Sequence, residues 1–293
     1  MTSEPIDLHH LGHERVIGVY LVETADGLGL FDCGPRTCID ALEAGLDAHG
    51  VGPGDLRHLL VSHIHLDHAG AAGTLVRRRP DLQVHVSEIG AAHVVDPARL
   101  VSSARRLYGD QLESLWGVPE PVPAANVHVA GSRVVGLDCF PSPGHASHHV
   151  CYVTDDGTLF AGDAAGVRIT PARHVLPQAP PPDIDLDGWE RTFAEIERRA
   201  PRALALTHFG LVDAVDEHVD QARIRLRLWA DRIGAGMGEE EWIAAARAEL
   251  VTDEGPEWAE RTQRAAPLEQ SYAGISRYLA RSAPTARRST AAR

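Results

Sequence analysis

Apolar residues fall along the chain in short blocks separated by glycine, proline and aspartate, and the blocks read as an α/β fold with strands gathered in two groups. Residues 16–23 and 28–31 are apolar runs separated by Thr24-Ala25-Asp26-Gly27, a hairpin signal. Over residues 38–49, Leu42 and Leu46 recur with Ala41, Ala44 and Ala48 at helical spacing, and Gly50 supplies the stop. Residues 69–79 predict a helix ended by Pro80, and residues 83–86 a strand. A second group of strands is predicted at 127–129, 133–140, 149–154 and 159–161, with Asp155-Asp156-Gly157 as another hairpin turn. The stretch 91–116 is helical in pattern. Beyond Ala203-Leu204-Ala205-Leu206 the chain turns helical and heavily charged, with helices expected over 217–233, 239–250 and 257–279.

The run Leu59-Leu60-Val61 leads directly into Ser62-His63-Ile64-His65-Leu66-Asp67-His68-Ala69-Gly70, which places three imidazoles and a carboxylate within six positions. An apolar strand delivers the chain rigidly, and the loop after it turns so that His63 and His65 face one ion while Asp67 and His68 face a neighbouring position. Imidazole nitrogen and carboxylate oxygen suit zinc, iron or manganese, with zinc the commonest choice at a hydrolytic site. A solvated histidine-rich loop is the competing reading, because the chain carries 17 His. Three later apolar runs also end on donor residues beside glycine or a turn. The first leads into Pro141-Ser142-Pro143-Gly144-His145, the second into Gly162-Asp163, and the third into Thr207-His208-Phe209-Gly210.

Taken in order from Asp32 to His208, these motifs resemble the metallo-β-lactamase superfamily. Within it the chain looks most like the glyoxalase II side. It is closest to a branch of uncharacterised metallo-hydrolases, through Gly144-His145-Ala146-Ser147-His148-His149 and Gly162-Asp163-Ala164-Ala165-Gly166. The resemblance implies a four-layer αββα sandwich, placed at residues 1–212. A helical extension follows at 213–281 as a cap or dimer-forming element, and a disordered tail at 282–293 that ends in Arg287, Arg288 and Arg293. It further implies two divalent metal ions, zinc or alternatively manganese or iron. His63, His65 and His145 would hold one, Asp67, His68 and His208 the other, and Asp163 would bridge them. The nucleophile is then a hydroxide between the metals, so no Ser or Cys nucleophile is required. Asp67 and His68 are the candidate catalytic residues, with Asp67 suited to pass a proton to the leaving group. Asp32, in Phe31-Asp32-Cys33-Gly34, is expected to brace a ligand from behind rather than bind metal.

Composition narrows the chemistry. The formal charge of −13 argues against general affinity for nucleic acid or anionic membrane. The N-terminal Met1-Thr2-Ser3-Glu4-Pro5 is polar, and no apolar stretch approaches the roughly 18–20 residues of a membrane span, so a cytoplasmic protein is expected. Cys33, Cys38, Cys139 and Cys151 form no C-x-x-C pair and read as buried free thiols. The chain contains no lysine, which removes Schiff-base chemistry, a Walker-A loop and a Ser-x-x-Lys acylation motif.

The function expected is hydrolysis of an ester-like bond (thioester, lactone or ester) in a small molecule. Glyoxalase II itself is disfavoured, because the basic and aromatic cluster that the family uses for glutathione is not recognisable here. True β-lactamase activity is disfavoured by a bridging aspartate and by the absence of lysine. Two alternatives stay open: a persulfide dioxygenase-like enzyme with one iron on His63, His145 and Asp163, and a phosphodiesterase of small molecules. Substrate choice is expected in residues 91–116, with Arg99, Arg105, Arg106, Tyr108 and Trp116 available to cover the site, and in the stiff proline-rich loop 176–183. His148 and Arg168 are further candidates, Arg168 as a holder of an anionic group. If His148 and His149 open a strand they point to opposite faces, so at most one would look toward the metals. The remaining histidines, such as His49, lack a partner at ligand spacing.

Overall fold

A computed structural model describes residues 4–52 and 54–282. Among these residues the apolar runs form two six-stranded sheets. The first holds, in spatial order, β1 (Ile6–Asp7), β2 (Gly18–Thr24), β3 (Gly27–Phe31), β4 (Leu56–Leu60), β5 (Gln83–Val86) and β6 (Val127–Val129). From β3 to β6 its strands are parallel. The second sheet runs β7 (Arg133–Val134), β8 (Leu137–Pro141), β9 (Val150–Val153), β10 (Thr158–Gly162), β11 (Ala203–Leu206) and β12 (Gly210–Val212). Only its β10–β11 pair is parallel. The helices are α1 (Ile39–Ala48), α2 (Leu66–Ala69), α3 (Ala72–Arg78), α4 (Glu88–Val95), α5 (Ala98–Tyr108), α6 (Leu112–Leu115), α7 (Leu186–Arg199), α8 (Val215–Gly234), α9 (Glu239–Glu254), α10 (Pro256–Ala265) and α11 (Leu268–Ser282).

Alternation along the strands explains the four layers. Successive residues point to opposite faces, so a strand apolar on both must be covered twice. Tyr20, Val22, Phe31 and Leu60 of the first sheet meet Val134, Leu137, Tyr152 and Phe160 of the second in one buried cluster. The rings of Phe31 and Phe160 lie 5.0 Å apart at its centre. The neighbouring positions Val19, Leu30, Leu59 and Leu204 belong to the larger core built with Leu42 and Leu46 of α1, Leu75 of α3 and Trp189 and Phe193 of α7. This is the expected αββα sandwich. Two buried tyrosines tie the sheets together: the Tyr20 hydroxyl donates to Leu206 O (2.7 Å), and the Tyr152 hydroxyl donates to Val61 O (3.2 Å). All four cysteines are free and buried. No helix among the described residues is long and apolar enough to cross a membrane.

Several boundaries differ from the sequence reading, each for a local reason. The single strand expected at 133–140 is a hairpin, because Val135 (φ 41°) and Gly136 (φ 97°) both take positive φ and turn the chain as a two-residue hairpin loop requires. The helix expected at 69–79 is the shorter α3, and a separate single turn, α2, precedes it and carries Asp67 and His68. The helix expected at 257–279 breaks before Pro267, since the residue ahead of a proline is pushed out of the helical region and Ala266 sits at φ −132°. Helix α7 and strand β12 had no counterpart in the sequence reading. The tail at 283–293 lies outside the described residues.

Helices α8 to α11 pack on one another, with Trp229 and Trp242 edge to face at 4.9 Å. They also pack back onto the sandwich. Gly274 of α11 meets the rim loop so closely that a Cβ there would lie 1.9 Å from Ala179 O. His218 of α8 is buried with its imidazole N–H donating to Ala165 O (2.9 Å), and burial pushes its pKa down to about 4.

Two predictions follow from these contacts. Gly274→Ala should destabilise the protein by about 1–3 kcal/mol in denaturant unfolding, because backbone must shift to admit the methyl group. Gly234→Ala at the end of α8, where a Cβ meets only Leu279 at 3.9 Å, should not. For His218, the folded pKa lies below the unfolded value, so its neutral form is favoured by folding. Stability from this group is fully present above about pH 6.5 and falls as pH drops toward about 4, by on the order of 3 kcal/mol. His218→Gln should flatten that part of the pH profile of thermal unfolding.

Candidate metal centre

Every candidate ligand sits just beyond the end of a strand, and all these ends open on one edge of the sandwich. Strand β4 delivers Ser62 to Asp67, β10 delivers Asp163, β11 delivers His208, and the turn between β8 and β9 carries His145. Ligand sites outside the carboxyl ends of strands are general in α/β sheets, because the loops diverge there over a rigid base.

Three donors form a first cluster. His63 Nε2 and His145 Nε2 each lie 2.9 Å from His65 Nδ1. The far nitrogens of two of these rings are already committed. His145 Nδ1 donates to Gln178 O (2.7 Å). His63 Nδ1 lies 3.0 Å from Ser62 Oγ, whose own proton goes to Asp32 Oδ2 (2.9 Å), so His63 donates. Burial holds His63, His65 and His145 below the usual imidazole pKa, so the rings are neutral and their lone pairs face one another. Converging lone pairs of this kind call for a cation between them.

A second cluster joins Asp67, His68 and His208. His68 Nδ1 donates to Asp32 Oδ2 (2.7 Å) and His208 Nδ1 donates to Val16 O (2.6 Å), which again turns each Nε2 inward. Burial opposes charge on His68 and His208, yet the fields of Asp163 and Asp67 outweigh it and raise both pKa values. Burial also works against an ionised Asp163, but His68, His208 and His145 hold its carboxyl well below the usual range.

Asp163 faces both clusters with different oxygens. Its Oδ2 lies 3.4 Å from His145 Nε2, while its Oδ1 lies 3.4 Å from His68 Nε2 and 3.6 Å from His208 Nε2. Both oxygens, together with His68 Nε2 and His208 Nε2, are buried without a hydrogen-bond partner. Orphaned buried polar atoms are costly unless something satisfies them. Imidazoles with carboxylates are the donor set that zinc, iron and manganese accept, so these residues fit such metal ions.

The supporting groups include several that the sequence reading missed. Asp32, expected as a brace, accepts from Ser62 N (2.8 Å), Ser62 Oγ, His68 Nδ1 and Thr207 Oγ1 (3.0 Å). Ser62 and Thr207 each precede a ligand, and that adjacency was the one available signal. His149 was passed over, yet it lies beneath the site. Asp163 N donates to its Nε2 (3.2 Å), and its Nδ1 lies 2.7 Å from Ser142 Oγ. Gly162 makes room for it, since a Cβ at φ 49° would stand 2.7 Å from His149 Nε2 and 2.8 Å from Ser62 Cβ. The expectation that at most one of His148 and His149 faces the centre is corrected: strand β9 begins at Val150, so neither is held to strand alternation. His149 stands behind the ligands, and His148 lines the cavity in front of them, its ring 5.5 Å from that of His65.

That cavity has a volume of about 440 Å³ and reaches His65, Asp67 and His208 at its floor. Tyr108, Trp116, Arg99 and Arg106 line it as expected. Arg105 does not, and pairs with Glu113 (2.9 Å). Arg168 is not brought to the cavity either; its Nε donates to Ala172 O (2.9 Å), which corrects its expected place near substrate. His68 is fully buried under Asp67 and does not reach the wall. The proline-rich loop supplies a rim through Gln178, Pro180 and Asp183, and the C-terminal helices close one side through Arg264, Gln270 and Arg277.

This sandwich with clustered histidines and aspartates at one edge defines a class of metal-binding α/β proteins. The chain belongs to the metallo-β-lactamase superfamily, whose family model matches residues 15–208. It is 27% identical over 182 residues to the metallo-β-lactamase fold-containing protein ST1585 of Sulfurisphaera tokodaii, a match spanning 57% of this chain and 66% of that protein. The ST1585 crystal structure superposes with a TM-score of 0.67 at 19% identity, covering 94% of this chain and 97% of that one. YobT of Bacillus subtilis, an uncharacterised protein, is 25% identical over 214 residues, or 70% of this chain and 88% of its own. TTHA1623, solved in a di-iron-bound form, shares the fold with a TM-score of 0.55 at 21% identity, covering 76% of this chain and 100% of that one. The superfamily consists mostly of metal-dependent hydrolases, and this chain carries a cluster suited to metal.

Asp32→Ala should weaken metal retention about 10–100-fold in chelator competition, because it frees His68 to rotate and leaves three other donors without an acceptor. His49→Ala, at an exposed position just past the end of α1, should leave retention unchanged.

Proposed function

We propose that this chain is a dinuclear-metal hydrolase that cleaves an ester-like bond, in a thioester, lactone or ester, of a small molecule. The observation that carries this reading is Asp163, which offers one unpaired oxygen to each of two donor clusters. His63, His65 and His145 would hold one ion, Asp67, His68 and His208 the second, and Asp163 would span them. When bound, two divalent ions supply a hydroxide nucleophile at neutral pH and polarise the carbonyl under attack.

The chain's own residues do the rest. Asp67 is the ligand whose carboxylate also lies on the cavity wall, so it is placed to take the proton of the attacking water and return it to the leaving group. His68, out of reach of substrate, would hold metal beside Asp67, with its ring fixed by the Nδ1–H bond to Asp32. The Tyr108 hydroxyl and the His148 imidazole face the same space and serve as hydrogen-bond partners for substrate oxygens. Leu66, Leu100 and Trp116 exclude water from one side. A single-iron dioxygenase would leave Asp67, His68 and His208 converged without purpose, and that convergence favours the hydrolase.

Elemental analysis of protein purified aerobically and anaerobically without added metal should find near two zinc, manganese or iron ions per chain. His65→Ala and Asp163→Asn should lose metal and turnover of simple thioesters, lactones or esters together. One iron per chain with oxygen uptake on a persulfide, or full activity in either variant, would overturn the reading.

A further inference from the structure

Four arginines line the cavity of a chain whose net charge is −13. Arg99 and Arg106 stand seven residues apart on α5, two helical turns, and so share the face that also presents Leu100, Ser103 and Leu107 to the cavity. Across the opening, α11 presents Gln270 and Arg277, again seven residues apart, and α10 presents Arg264. Most arginines of this protein are spent in ion pairs, and Arg264 itself pairs with Glu260 (2.6 Å). Among the described residues Arg99, Arg106 and Arg277 have no carboxylate within 4.0 Å, and apart from one long bond from Arg106 to Ser102 Oγ (3.4 Å) their guanidinium groups keep their hydrogen-bonding capacity at the mouth of the site. The carboxylates on the cavity wall lie elsewhere: Asp67 belongs to the metal floor, and Asp183 accepts from Ser147 Oγ (3.0 Å) on the rim.

An arginine presents a planar fork of donors that matches a carboxylate or phosphate and remains charged at any working pH. The lining also carries apolar side chains, Ile64, Leu66, Ala104, Leu107 and Trp116, beside the polar Ser103, Tyr108 and His148. We infer that the substrate is an ester-like molecule with an apolar middle and an anionic terminus, a carboxylate or phosphate. The terminus is held at the mouth by Arg99, Arg106 and Arg277 while the scissile carbonyl reaches the floor. This inference rests on the hydrolase reading for what happens at the floor. The binding it describes depends only on the walls.

The test uses pentyl methyl ketones, which resemble an ester carbonyl but are not hydrolysed, ending in a carboxylate, a phosphonate or a neutral carboxamide. Calorimetry is run on the full chain with and without metal, because an anion could otherwise be drawn to the ions themselves. At least one anionic ketone should bind about tenfold or more tighter than the carboxamide, with and without metal, as expected for charge-assisted hydrogen bonds. The preference should shrink with added salt. Which anion wins distinguishes carboxylate from phosphate substrates. Arg99→Ala, Arg106→Ala and Arg277→Ala should each reduce the preference and together bring it below about threefold, whereas Arg105→Ala, off the cavity, should keep it. Equal affinities, no measurable binding, or a preference that survives the triple substitution overturns the inference. Failure of the hydrolase reading is seen separately, as absent turnover of the corresponding neutral and anionic esters by metal-loaded protein with normal ketone preference.

Discussion

The buried carboxylate of Asp32 is the contact on which the rest of the centre depends. It lies at the end of β3 with φ 54°, a left-handed conformation that aspartate tolerates better than most residues. It is wholly buried, and an unpaired charge there would be strongly destabilising. Four donors offset that cost, and they come from three segments: Ser62 at the end of β4, His68 in α2 and Thr207 at the end of β11. One side chain thereby fixes the histidine loop against its own strand and joins the first sheet to the second. Backbone bonds add to the seam, with Gly18 N donating to Thr207 O and Val150 N to Ser62 O, each at 2.8 Å.

With the seam fixed, the ligands have little freedom left. Each inward-facing nitrogen of His63, His68, His145 and His208 is set by what the opposite nitrogen of the ring touches: Ser62, Asp32, the carbonyl of Gln178 or the carbonyl of Val16. The tautomer is therefore chosen by the fold before any ion arrives, as is usual where histidines bind metal. Because these donors are brought together only by the fold, ion binding and folding stability are coupled.

The donors His63 to His68 were legible as a candidate metal site because coordination chemistry favours few residue types at close spacing, whereas His145, Asp163 and His208 were reached through the apolar runs before them and the resemblance. The sandwich was legible only through the resemblance those motifs carry. The supporting shell was mostly hidden. Val16 and Gln178 act through backbone carbonyls, which any residue possesses, and strand alternation offered no way to place His149 behind the ligands. The hairpin at Val135-Gly136 was lost because an unbroken apolar run conceals a turn whose signal is conformational. Arg264 and Arg277 were unreadable as cavity residues, since only tertiary packing of α10 and α11 against the 176–183 rim brings them within reach of a loop two hundred positions earlier.

Floor and walls of the cavity thus obey different rules. The floor is formed by His65, Asp67 and His208, whose imidazole and carboxylate chemistry allows few replacements. The walls come from α5, from Trp116 just past α6, from the proline-rich rim and from the C-terminal helices, and many residue types would serve there, which is where a shared fold acquires a particular substrate. The charge distribution follows the same division. A surface carrying net −13 repels anions at a distance, but in salt that repulsion fades beyond about 8–10 Å. Inside that range the guanidinium groups at the mouth dominate. An anionic ester therefore meets attraction only when it is already oriented at the opening, so the walls select by local fit where the long-range field offers no help.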